Sequence, residues 1–300
     1  MSKNIAKIAG LILCLLYLNV LAFAGTTNSA VFLRIVSSAR TAGIGGVGTA
    51  ISGDVSNIEQ NPASLYWVDK KQIVLAHNEW FEGIRSEYMA YSYPISESAV
   101  LAISGKYLYI DDMNRTDSSG NSTGKFSSND SVYSLTFTKR FGYNFAVGAN
   151  AKIIQQAIDT TSGSAFAGDI GFLYNTTGNM TFAGAIKNMG DKLAIYKEGF
   201  PLPLTYTFGV AYYVKHGFNL GLDIDQEVNC DPVYKAGFEY FLSQNIDLRL
   251  GYSLTSETYA NPGITAGLGF NISQKLFIDY AYVPFGDLGD THRFSLRYNF

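Results

Sequence analysis

Cysteine, histidine, tryptophan and charge are all scarce in this chain of 300 residues, which has 2 Cys, 3 His, 2 Trp and 16% charged side chains. Two cysteines, Cys14 and Cys230, cannot build a disulfide scaffold, and metal sites made from cysteine pairs are excluded with it. Catalysis requires a nucleophile with an oriented base, or paired carboxylates. No H-E-x-x-H occurs, and His77, His216 and His292 fall in separate predicted elements, so no enzyme, cofactor or metal is expected. Asp111, Asp112, Asp117 and Asp130 could meet a divalent cation, but their polar surroundings lack ligand spacing and read as solvated loop. Lys and Arg total 22 against 25 Asp and Glu, and no basic patch invites nucleic acid. Beyond the first residues no apolar run approaches the ~20 residues of a membrane-spanning helix, and mean hydropathy is only +0.05.

The N-terminus has Lys3 and Lys7, an apolar run from Ile8 to Phe23, and an Ala22-Phe23-Ala24 site. This reads as a secretory signal peptide over residues 1–24, cleaved after Ala24. Cleavage would remove Cys14 and two lysines, taking the formal net charge from −3 to −5. Against these scarcities stand 30 Gly, 21 Tyr and 20 Phe. Tyrosine and phenylalanine suit the interfacial girdles of outer-membrane barrels, although a secreted β-sandwich or propeller alternates polar and apolar residues as well.

From residue 71 onward the pattern has period two. Ile246, Leu248, Leu250, Tyr252 and Leu254 interleave with Asp247, Arg249, Gly251 and Ser253. Phe218, Leu220, Leu222 and Ile224 interleave with Asn219, Gly221, Asp223 and Asp225. Fourteen such strands are predicted, near 71–80, 85–94, 99–110, 130–140, 144–158, 164–175, 179–188, 203–214, 217–228, 232–242, 245–255, 262–272, 275–284 and 291–300. Most have the nine to eleven residues of a tilted membrane strand. Short links follow the even strands and longer ones the odd, notably 111–129 and 189–202, which fits periplasmic turns and outer loops. A series this long must close or aggregate. The expected fold is therefore an all-β, antiparallel transmembrane barrel over 71–300 in a bacterial outer membrane.

The stretch Arg40 to Trp67, inside a segment 25–70, is too rich in glycine for a regular element. It reads as a plug within the barrel. Gly43 to Gly48 matches G-x-G-x-x-G, but no strand precedes it and no helical period follows, so dinucleotide binding is not expected. Gly45 and Gly46 are expected to hold angles or close approaches that only glycine tolerates. With inward wall positions such as Asp223, Arg249 and Arg297 polar, the apolar plug residues Ile44, Val47, Ile51, Val55 and Ile58, together with Leu65 and Tyr66, either line a pocket for an apolar tail or anchor the plug. Phe294, Leu296, Tyr298 and Phe300 share one face of the last strand, which resembles the signal read by the barrel-assembly machinery.

Ser37 to Arg40 running through Asn61-Pro62-Ala63 resembles the hatch of FadL-type transporters. The wider order of short motifs is similar to the PorV/PorQ family of FadL-like barrels. It includes Phe32-Leu33, His77 to Phe81, Gly168 to Gly171, Phe200 to Leu204, Asp279 to Gly289 and Thr291 to Arg293. The resemblance implies fourteen strands and an N-terminal plug. It does not imply one function: passive uptake of a hydrophobic or amphiphilic small molecule and a carrier or accessory binding secreted cargo in type IX secretion both remain open. Gly45, Gly46, Asn61, Pro62 and Ala63 join the candidate plug and ligand-lining residues, and outer-membrane lipid is an expected partner. The chain is shorter than PorV proteins, with few long outer loops.

Overall fold

The computed structural model describes residues 28–214, 217–254 and 263–300; the expected signal peptide and His216 lie outside them. Fourteen strands form one closed antiparallel barrel. They are β1 (Gln72–Glu79), β2 (Ile84–Ser96), β3 (Ala99–Thr116), β4 (Ser122–Phe141), β5 (Phe145–Ile158), β6 (Thr161–Asn175), β7 (Met180–Gly190), β10 (Thr205–Tyr213), β11 (Phe218–Glu227), β12 (Val233–Phe241), β13 (Ile246–Leu254), β14 (Gly263–Asn271), β15 (Leu276–Pro284) and β16 (Asp290–Asn299). A two-stranded ribbon of β8 (Leu193–Ala194) and β9 (Gly199–Phe200) sits between β7 and β10. Closure pairs β1 with β16, from Gln72 opposite Asn299 to Glu79 opposite His292, and removes the sheet edges.

Burial runs opposite to that of a soluble sandwich. On β13 the polar Asp247, Arg249 and Ser253 are buried, while Leu248, Leu250, Tyr252 and Leu254 are exposed; β11 repeats this with Asp223 buried and Leu220 and Leu222 exposed. An outer face of exposed Leu, Ile, Phe and Tyr is stable against hydrocarbon, not water.

The segment 111–129, expected as a loop, is instead mostly strand. β3 and β4 continue upward as a ribbon, with Met113 opposite Phe126 and Arg115 opposite Gly124, after a register shift past Ile110. Its polarity misled because both faces of the ribbon meet water. The real turn is short: Asp117 accepts the backbone N–H groups of Asn121 and Ser119 at 2.9 and 2.8 Å. These bonds from Asn121 hold its carboxyl below the ordinary range. Asp111 pairs with Arg85 at 3.0 Å, and no metal-binding group of carboxylates occurs among the described residues.

Candidate functional site

Residues 30–68 are largely buried and press against the inner wall through a short helix, α1 (Ala39–Gly43), and 3-10 turns at Val55–Glu59 and Pro62–Trp67. Asp54 and Asn61 cap those turns by accepting the N–H groups of Ser56 and Ala63, each at 2.9 Å, which relieves backbone donors that no ladder serves.

A diagonal belt of inward wall glycines receives this segment. Each of Gly148, Gly171, Gly209, Gly221, Gly237 and Gly251 directly faces a segment residue: Pro62, Asn61, Thr49, Val47, Ile44 and Gly45 in turn. A Cβ on Gly237 would lie 2.6 Å from the Ile44 carbonyl oxygen, and one on Gly209 2.7 Å from Thr49 Cβ. The segment can approach backbone to backbone only because these positions carry no side chain. Gly45 and Gly46 have φ of 72° and 78°, the left-handed region expected of them. The G-x-G-x-x-G run thus follows the wall glycines and opens no helix.

Polar anchors fix the same register. Asp223 accepts N–H from Gly48 and Thr49 at 2.8 and 2.9 Å. Arg40 forms a bidentate pair with Glu239, at 2.9 and 2.8 Å. Glu239 also accepts from Arg249 at 2.8 Å, and Arg249 reaches Asp279 at 2.7 Å. Arg297 meets Asp54 at 2.8 Å. Buried charges persist only when paired in this way. Burial opposes charge on Asp54, yet Arg297 and Arg40 hold its carboxyl below the ordinary range.

Above the belt, toward the end that carries the longer connections, a cavity of about 580 Å³ remains between segment and wall. One side is apolar: Phe32, Ile35 and Val36 from the segment, and Tyr88, Leu108 and Val132 from β2, β3 and β4. Trp80, Phe81 and Phe285 close its rim, with ring centroids of Trp80 and Phe285 4.9 Å apart and Arg293 5.3 Å over the Trp80 ring. The other side carries Lys106, Lys152, Lys187 and Lys235. Lys106 pairs with Glu59 at 2.7 Å, Lys152 with Asp169 at 2.6 Å and Lys235 with Asp225 at 2.6 Å. Lys187 makes no direct ion pair among the described residues: its ammonium reaches Gln60 at 3.4 Å and feels Asp225 only at longer range.

Among the sequence candidates, Gly45 and Gly46 border this cavity. Ile44, Val47, Ile51, Ala63 and Tyr66 pack in one buried cluster with Ala146, Leu173, Ala183 and Ala211 of the wall, and Leu65 joins Val55, Ile58 and Val74 in another. Asn61 and Pro62 sit in the glycine belt. The expectation of a uniformly polar inner wall fails at β3 to β5, where Leu108, Val132 and Ile154 are buried against Phe32, Leu193 and Leu202. Of these, Leu108 and Val132 also border the cavity. Sequence reasoning also missed the four lysines, since each stands at an inward position where a cation keeps the polar-inward alternation and gives no separate signal. His77 and His292 stand two residues out of register on the outer face, away from the lumen. Phe294, Leu296 and Phe300 are exposed on the outer face, and Phe300 contacts the rings of Tyr91 and Tyr298.

No protein-family model matches the chain, and no curated protein matches it. Among solved structures it is similar to CymD, a monoaromatic hydrocarbon channel, at 11% identity and a TM-score of 0.70, covering 88% of this chain and 97% of that one. The toluene transporter TbuX of Ralstonia pickettii gives 12% and 0.66 over 87% and 97%. A FadL homologue of Pseudomonas aeruginosa gives 12% and 0.60 over 92% and 98%. Identities this low carry the fold alone. The fold is the closed fourteen-strand, FadL-like barrel of bacterial outer-membrane proteins, and its apolar outer belt belongs in that membrane. Of these, TbuX and CymD are named as a transporter and a channel rather than as enzymes.

Proposed function

We propose that this protein mediates passive uptake of hydrophobic or amphiphilic small molecules across the outer membrane, residues 25–70 acting as the plug. The observation that carries this reading is the cavity, whose volume of about 580 Å³ suits a small-molecule site, commonly ~300–1,000 Å³. Its apolar side accepts a hydrocarbon body, and Lys187 opposite is a donor for a polar or anionic end. Binding of a homologous series of straight-chain carboxylic acids to the detergent-solubilised protein tests it. Each added methylene should contribute about 0.8 kcal/mol, close to fourfold in affinity, until the cavity is filled. Affinity that is absent, or flat with chain length, overturns the proposal.

A PorV/PorQ-like carrier is the second reading. One observation favours it: the ribbon of residues 111–127 rises above the paired wall with both its strand edges unpaired by other strands, and such edges can accept an extended segment of an exported protein. Removing 113–126 should then abolish cargo binding while leaving the fatty-acid series unchanged.

A further inference from the structure

The outer wall is not uniformly apolar. On β13, Ile246 through Leu254 present only apolar residues outward, a span of roughly 27 Å at ~3.4 Å per residue, enough for the ~25 Å band of a barrel. On β1 the outward residues are Ile73 and Leu75, then His77 and Glu79, so the apolar cover spans only about 7 Å of the strand. Tilt shortens both spans. The polar outer face of β1 therefore begins after a far shorter apolar span than on β13, four strands away around the barrel.

Neighbouring strands enlarge this interruption into a grid. Outward of the ladder, Glu79 lies between His292 and Arg85, and His77 between Phe294 and Glu87. His77 Nδ1 and Glu87 Oε1 are 2.8 Å apart, with Tyr109 OH donating to the same carboxylate at 3.4 Å. Tyrosines bracket the grid: Tyr107 and Tyr109 stack at 5.6 Å on one side, while Tyr280 stacks on His292 at 6.1 Å on the other. Carboxylates dominate its charge, since Glu79, Glu87, Asp111 and Asp290 face one arginine, Arg85. Directly beneath, the wall is hollowed where Gly105 stands between Met89 and Tyr133. This shallow depression continues across the outer face from Ile278 of β15 to Phe166 of β6, and its floor includes Leu75, Ile103 and Leu296.

We propose that this outer face binds a membrane lipid with an uncharged, polyhydroxylated headgroup, the sugar lying on the tyrosine and carboxylate grid and an acyl chain in the hollow at Gly105. The vertical order of the two parts is that of a lipid in the outer leaflet, hydrocarbon toward the mid-plane and head outward. Tyrosine rings offer faces to a sugar ring, and the carboxylates and imidazoles accept its hydroxyl protons. The acidic balance disfavours phosphate-bearing headgroups by like-charge repulsion. The site lies outside the lumen and does not rest on the transport reading.

The test is lipid retention by the full-length barrel in nanodiscs, read by native mass spectrometry. The nanodiscs hold equal amounts of a diglycosyl diacylglycerol, phosphatidylglycerol and phosphatidylethanolamine with matched chains. Wild type should retain the glycolipid at least tenfold over either phospholipid. Glu79→Gln with Glu87→Gln should remove that preference, and Gly105→Leu should lower retention of the glycolipid severalfold. Heat-modifiable migration on gels verifies that each variant is a closed barrel; a variant that fails it is replaced by Tyr107→Ala, for which the same loss is expected. Equal retention of all three lipids, or a preference untouched by closed-barrel variants, overturns the proposal. Since Lys187 plays no part here, loss of fatty-acid binding without loss of glycolipid would count against the channel reading alone.

Discussion

Gly251 of β13 and Gly45 of the luminal segment meet with no side chain between them: a Cβ on Gly251 would overlap the Gly45 amide nitrogen. The contact repeats at Gly237 and Ile44 and at Gly148 and Pro62. The wall thus holds the segment by shape at its lower half and leaves space only above it.

Filling the belt should unseat the segment. Gly237→Val forces a clash with backbone, and overpacking of this kind costs about 1–3 kcal/mol or more. Limited proteolysis should cleave between residues 40 and 60 faster than in wild type. Gly178→Ala, in a turn where the nearest atom is 3.8 Å away, should leave cleavage unchanged.

Gly45 and Gly46 share a left-handed backbone but not their surroundings. A Cβ on Gly46 meets nothing nearer than 3.6 Å, whereas on Gly45 it meets Tyr252 N at 2.8 Å. Gly46→Ala should cost roughly 1 kcal/mol from its φ alone, and Gly45→Ala clearly more. Thermal unfolding in detergent checks the ordering; equal shifts would refute it.

The Arg40–Glu239 pair is a second clamp. Glu239→Gln leaves Arg40 and Arg249 buried and short of an anion, a change that breaks buried pairs at about 3–5 kcal/mol. The unfolding midpoint should fall, with a smaller drop for Lys235→Met at the cavity margin. An unchanged midpoint for Glu239→Gln would show that the pair contributes nothing.

Lys187 should discriminate between ligands. Lys187→Met is expected to weaken binding of a medium-chain carboxylate about tenfold or more while leaving the matching alcohol within a factor of about three, since a charge-assisted hydrogen bond contributes ~1.5–3 kcal/mol. Isothermal titration measures both. Parallel losses would mean that the lysine does not meet the head.

Trp80 borders the cavity and Trp67 does not. In a Trp67→Phe background, an apolar ligand should therefore shift the remaining indole emission to shorter wavelength. An emission spectrum unmoved by saturating ligand would place the ligand elsewhere.

Period-two alternation by itself determined the fourteen wall strands, because a strand between lipid and lumen must change polarity at every residue. The glycine run also identified the positive φ of Gly45 and Gly46, since local backbone geometry is a local property. What only the tertiary structure decided is which inward residues face each other. The wall glycines from Gly148 to Gly251 look in sequence like weak points of strands, and become a track only when barrel shear lines them up beside residues 44–62. Lys187 looks like any inward cation until closure gives Lys106, Lys152 and Lys235 direct ion pairs and leaves it without one among the described residues. Ion pairing and cavity shape are properties of residues brought together from different elements, and no periodicity along one strand encodes them.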